Sequence, residues 1–192
     1  MLRLHIAEKW EPQDYLAAIS AVETLYYVTL FARGGRWHEL WEYGQPGRYR
    51  RFFTEGGTLG EYLVGEARAL ADRSERLIIN EIRHSSPGFM DFDGVGQVAE
   101  ALDRSFGRII DVFTGRRLRK EANEQAKIET EIKRENLNSI KIDNARKLLD
   151  LYHDYPEIGP VRDLERTMVD QQTKIEALAA RGLITDQRAH RD

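Results

Sequence analysis

The chain contains no cysteine. Disulfides, thiol nucleophiles and thiolate metal sites are therefore excluded together, and redox compartment cannot be read from thiols. An excess of one charge is also lacking: 29 Lys and Arg face 32 Asp and Glu, for a net charge of −3. The chain as a whole therefore does not call for nucleic acid or an anionic membrane, and either contact would need a local patch. Close histidine pairs are missing. His5, His38, His84, His153 and His190 show no metal spacing such as i and i+4, so no metal is expected.

Long apolar runs are scarce too. The one stretch of near-spanning length, Tyr15 to Ala32, carries Glu23 in its middle and is diluted by Ser20, Thr24 and Thr29. It reads as a buried core helix rather than a membrane span. The start, MLRLHIAEKWEPQ, has one basic residue before a short alternating run, too short for a signal peptide. The expected location is cytoplasmic.

Proline and glycine are absent over a long interval. The forty residues from Arg116 to Tyr155 hold neither, and seventeen of the thirty-five from Arg116 to Asp150 are charged. Composition of this kind reads as one helix, about 60 Å long at 1.5 Å per residue. Its apolar residues form no heptad seam, so a regular coiled coil is not indicated. Most of them fall on one broad side, which makes Leu118, Ala122, Ile128, Ile132, Leu137 and Ile140 the candidate interface. The half before Asn136 reads as a solvated bridge or assembly surface, and the half after it as apolar enough to fold back on the C-terminal helix.

The remaining elements follow from periodicity. Leu2, Leu4 and Ile6 alternate with Arg3, His5 and Ala7, a strand with one buried face. Pro12 and Asp14 start a helix that Gly34-Gly35 ends. Thr58 and Glu61 form a capping box for a helix to about Asp72. Arg76 to His84, RLIINEIRH, is the strongest strand signal, and Ser85-Ser86-Pro87-Gly88 reads as the turn that stops it. Val95, Val98, Leu102, Phe106, Ile109 and Phe113 make a helical stripe that Gly115 ends or kinks. Val161, Leu164, Met168, Ile175 and Leu178 make another, with Gly182 as C-terminal cap. A third strand is expected near Tyr49 to Phe53.

The expected fold is α+β and mainly helical: a small α/β head with two or three strands over residues 1–114, a long charged arm over 115–155, and a C-terminal helix over 156–192 that completes a helical hairpin.

Four groups of residues invite chemistry. Gly94-Val95-Gly96-Gln97-Val98-Ala99 matches the wording of a dinucleotide fingerprint, which requires the glycines directly after a strand. No strand is expected within nine residues of Gly94, and Asp91 and Asp93 would repel a phosphate, so helix-start glycines are preferred and no cofactor is expected. Asp91-Phe92-Asp93-Gly94 resembles part of a calcium loop but lacks the third acidic ligand and the distal glutamate; helix capping accounts for it. Arg33, Arg36, Trp37, Trp41, Arg48, Tyr49, Arg50 and Arg51 mix aromatic faces with guanidinium groups, a combination suited to nucleic acid, nucleotide or protein contact. Arg116, Arg117, Arg119 and Lys120 form a basic patch at the start of the arm, where positive charge opposes the helix dipole unless the preceding helix runs through Gly115 and sets them mid-helix.

No arrangement of nucleophile, base and oxyanion donor is recognisable, so an enzyme is not expected. The sequence points to a non-enzymatic interaction or assembly protein, self-associating or docking as an accessory subunit of a larger bacterial complex. The alternative is a nucleic-acid- or nucleotide-binding accessory subunit that uses the aromatic-basic loop.

Overall fold

The computed structural model describes residues 1–7, 10–33, 36, 39, 59–83, 88–117, 126–148 and 161–185. Among them are five α-helices and one four-stranded antiparallel sheet, an α+β fold dominated by helix. In chain order these are β1 (Leu2–Ile6), α1 (Pro12–Arg33), α2 (Leu59–Leu70), β2 (Ile78–Arg83), β3 (Gly88–Asp93), α3 (Gly96–Arg117), α4 (Ala126–Leu148), α5 (Val161–Ala180) and β4 (Ile184–Thr185). A single 3-10 turn, Arg73–Glu75, precedes β2.

Helix α1 is apolar around most of its circumference, the pattern of a helix with neighbours on every side. Val22, Leu25, Tyr26 and Phe31 are all fully buried, and α1 touches α2, α3, α4 and α5. Among the described residues it is the only helix long and apolar enough to cross a membrane, and 67% of that window is buried inside the fold.

The sheet runs β2-β3-β1-β4. Leu2, Leu4 and Ile6 sit opposite Phe92, Met90 and Gly88 on one face, and Leu2, Leu4, Met90 and Phe92 are at most 2% exposed. This face meets the helices, with α3 lying against β1, β3 and β4. One apolar cluster draws on residues from Leu2 to Ile184, so the C-terminal segment shares a core with the N-terminal strand. Helix α5 closes at Gly182, whose φ of 73° is the left-handed conformation glycine adopts without strain. There Leu183 N donates to the Leu178 carbonyl and Gly182 N to the Ala179 carbonyl, capping the helix end and aiming the chain into β4.

One expectation needs correction, and two others resolve. The residues GFMDFD are strand β3, not a turn followed by a helix cap: Met90 and Phe92 alternate with Phe89 and Asp91, and the acidic pair masked that period of two. Gly115 lies inside α3, which continues to Arg117. The backbone of Arg116 and Arg117 therefore continues a helix instead of opening one, the second of the two readings of Gly115. The charged helix extends over Ala126–Leu148; its half after Asn136 packs on α3 and α5 and buries Leu137, Lys141, Asn144 and Ala145. The expected strand at 49–53, the arm's ends at 118–125 and 149–155, and the turn residues 85–87 lie outside the described residues.

A polar network joins α3, α4 and α5. Asn144 donates to the Ser105 carbonyl at 3.1 Å and accepts from Arg108 at 3.0 Å. Gln172 donates to the Lys141 carbonyl at 3.1 Å. The Lys141 ammonium, 6% exposed, reaches Glu176 at 2.6 Å and the Thr173 hydroxyl at 3.1 Å. Each buried polar group meets a partner on another helix, which fixes the helices' register as well as their proximity.

Two carboxylates tie distant segments and give the fold an acid limit. Arg181 makes two hydrogen bonds to Asp14, at 2.6 and 3.2 Å. These bonds hold the Asp14 carboxyl below its ordinary value, against the opposing effect of burial and with help from the Glu11 N–H. Burial pushes Glu75 upward, yet its bonds to Arg36 and to the Asp72 N–H outweigh burial and leave it lowered. A carboxylate whose folded pKa is depressed contributes stability above its unfolded pKa and loses it as pH falls through the folded value. Thermal midpoints are therefore expected to hold down to about pH 5 and to fall below about pH 4. Asp14→Asn should flatten part of that acid slope in scanning calorimetry; an unchanged slope would remove Asp14 from the account.

Candidate functional site

Among the described residues, three exposed isoleucines gather on the sheet edge. Among the described residues strand β2 has a neighbour on one side only, and all six of its residues are exposed. Its pairing with β3 places Ile79 opposite Phe92 and Ile82 opposite Met90. Directly opposed residues share a face, so Ile79 and Ile82 belong to the helix-facing side. Phe92 and Met90 are 0% exposed, yet Ile79 and Ile82 are 40% and 43% exposed. The helical layer therefore stops at β3 and leaves β2 beyond its edge. Ile78, opposite Asp93 on the other face, is 54% exposed.

The edge is held from behind rather than covered. On the face away from the helices, Glu81 lies opposite Asp91 and Asp91 opposite Arg3. Arg3 donates twice to Asp91, both at 2.6 Å, and its guanidinium stands 4.2 Å from the Phe89 ring centroid. Arg83 approaches the same ring at 5.8 Å. The Asp91 bond, followed by its charge and that of Glu81, raises the Arg3 pKa against burial. Between Ile79 and Glu81 the register shifts by a bulge at Asn80, which bends the strand and separates its start from Glu81–Arg83.

A second concavity, of about 550 Å³, lies between β1, the end of β4 and one side of α3, and is lined by Arg3, His5, Asp103, Arg104, Arg108 and Thr185 among others. Its guanidinium groups are engaged within the fold: Arg3 by Asp91, Arg108 by Asn144 and Arg104 by the Glu100 carbonyl. Of these three bonds only that of Arg3 goes to a carboxylate, since Arg108 and Arg104 bond neutral oxygens; Asp103 and Asp111 in the same lining make the groove mixed in charge.

The sequence-derived site residues fare unevenly. Arg33 is exposed at the end of α1. Arg36 is bound to the carboxylates of Glu39 and Glu75 at 2.8–3.0 Å and stacks 4.8 Å from the Phe31 centroid. It acts as a tie between the end of α1 and the turn before β2, with its charge already matched. Trp37, Trp41, Arg48, Tyr49, Arg50 and Arg51 lie outside the described residues, as do Leu118, Arg119, Lys120 and Ala122. Ile128 and Ile132 fall within α4. Leu137 is 3% exposed and Ile140 half-buried, so Leu137 serves the chain's own core instead of a partner.

The glycines of the fingerprint-like segment do follow a strand directly, β3 ending at Asp93, which corrects the expected gap. The sheet is antiparallel throughout, unlike the parallel unit that a dinucleotide fold requires. The place of Gly94 is explained by Tyr26: a Cβ there would lie 2.6 Å from the Tyr26 ring and hydroxyl. That hydroxyl donates to the Glu75 carbonyl at 2.7 Å and accepts from Val95 N at 2.9 Å. Among the described residues no group of acidic and histidine side chains is arranged to hold a metal.

The chain matches no family model, no characterised protein and no solved structure.

Proposed function

We propose that this is a non-enzymatic interaction protein of the cytoplasm, self-associating or docking as an accessory subunit through the open edge of its sheet. The observation that carries this reading is β2 itself. Its sequence places isoleucine on both faces, the pattern of a strand with neighbours all around, yet among the described residues it stands at an edge, with every residue exposed. A sheet edge with apolar side chains is a template for another strand, and the bulge at Asn80 with the charges of Glu81 and Arg83 restricts which strands can add. Addition of a strand would supply the missing hydrogen bonds through backbone and the specificity through side chains.

The test compares the full chain with Ile82→Lys, in light scattering and in retention of proteins from the source cell. Association that the lysine variant abolishes, while its circular dichroism stays native, supports the reading. A monomer that retains nothing, or association indifferent to the variant, would overturn it.

A further inference from the structure

We infer that the strand completing this edge is β2 of a second copy, paired antiparallel about a two-fold axis at Ile82. The inference rests on the edge reading above and adds the partner. It comes from the order of charges along Asn80-Glu81-Ile82-Arg83. An antiparallel pair of identical strands must set residues of equal parity opposite one another, so only a few registers are available. Centring on Glu81 or on Arg83 places like charges face to face, which is destabilising. Centring on Asn80 puts the bulge on the axis and leaves both charges opposite isoleucine or uncharged neighbours. Centring on Ile82 sets Glu81 opposite the partner's Arg83 and Arg83 opposite the partner's Glu81, two complementary pairs on one face.

On the helix-facing side the same register brings the two Ile82 side chains together at the axis, with Ile79 of each copy flanking them. These are the residues the helical layer leaves bare. The result is a continuous eight-stranded sheet in which the charge-matched registry belongs to one face and the apolar seam to the other. A strand of unrelated sequence would gain the same backbone bonds but has no reason to match charges in this order.

Charge exchange decides it. Glu81→Arg alone and Arg83→Glu alone should each weaken self-association by about tenfold or more, since two attractive pairs become repulsive. The double variant carrying both changes should restore the dimer, and so should mixing the two single variants. Because the chain has no cysteine, Ile82→Cys supplies a lone thiol, and under mild oxidation it should cross-link into a covalent dimer, opposed Cβ atoms lying about 5 Å apart. Ile78→Cys should not cross-link, its two copies being about 25 Å apart along the strands.

A chain that stays monomeric at every concentration overturns the second copy, and so does a dimer indifferent to charge exchange and uncross-linked at position 82. If that monomer nevertheless retains a partner that Ile82→Lys releases, the edge reading stands and only the identity of the occupant fails. If it retains nothing, both fail.

Discussion

Gly94→Ala is expected to lower stability by about 2–4 kcal/mol. For a chain of this size that corresponds to a fall of roughly 6–12 °C in the thermal midpoint. The added methyl would sit 2.6–2.7 Å from the Tyr26 ring and hydroxyl, closer than carbon atoms tolerate. Tyr26 has nowhere to retreat: it is 0% exposed, and its hydroxyl bridges the Glu75 carbonyl and the Val95 amide. Relief of the clash therefore costs packing and two hydrogen bonds together. Gly96→Ala is the internal contrast. No atom lies within 4 Å of a Cβ at that position, and alanine in place of glycine at the first residue of α3 should be neutral or stabilising by up to about 1 kcal/mol. Thermal melts of the two variants separate the explanations of the motif. A fold that needs both glycines alike would contradict the role assigned to Tyr26.

Lys141→Met should cost about 2–3 kcal/mol, although methionine fills a similar volume. The substitution removes the ammonium that reaches Glu176 at 2.6 Å and Thr173 at 3.1 Å, and it leaves Glu176, 23% exposed, with its charge unmatched. That residual exposure is the reason for an expected loss below that of a fully buried pair. Replacing both partners, Lys141→Met with Glu176→Leu, should recover most of the stability, since neither charge then remains to be desolvated. Urea denaturation of the single and double variants gives the coupling energy directly. If the double variant is no better than Lys141→Met alone, the network contributes through the Thr173 contact or the lysine's methylenes and not through the ion pair.

What the sequence reveals is largely a matter of which period dominates each segment. Helix α1 is legible because eighteen residues from Tyr15 to Ala32 leave little choice but burial. Strand β3 is hidden because Asp91 and Asp93 alternate with Phe92 in a way that also suits a cap or a cation loop. Its strand character rests on Arg3, whose guanidinium neutralises Asp91 across the sheet, and such a partner 88 positions away leaves no local mark. Helix α4 is legible only in part, for a related reason. Its charge suggests solvent, but Lys141 is buried because Glu176 and Thr173 meet it, and pairing of that kind depends on tertiary neighbours. The candidate site was half visible. RLIINEIRH reads plainly as a strand, whereas its place at the edge depends on where β3 and β1 come to lie.

The joining of the two chain regions at β1 and β4 has a consequence for biosynthesis. Trp10 donates to the Leu183 carbonyl across 173 positions, and Arg181 grips Asp14 across 167. At about 5–20 residues per second, the ribosome delivers those partners roughly ten to thirty seconds after the residues that await them. During that interval β1 has β3 to pair with once Asp93 has emerged, but its other side, and the flank of α1 that α5 later covers, remain open to solvent. A nascent chain in this state exposes the most apolar helix of the protein beside an unpaired strand. Holding factors that bind extended apolar segments should therefore meet this chain early and release it only when the Ile184–Thr185 strand arrives.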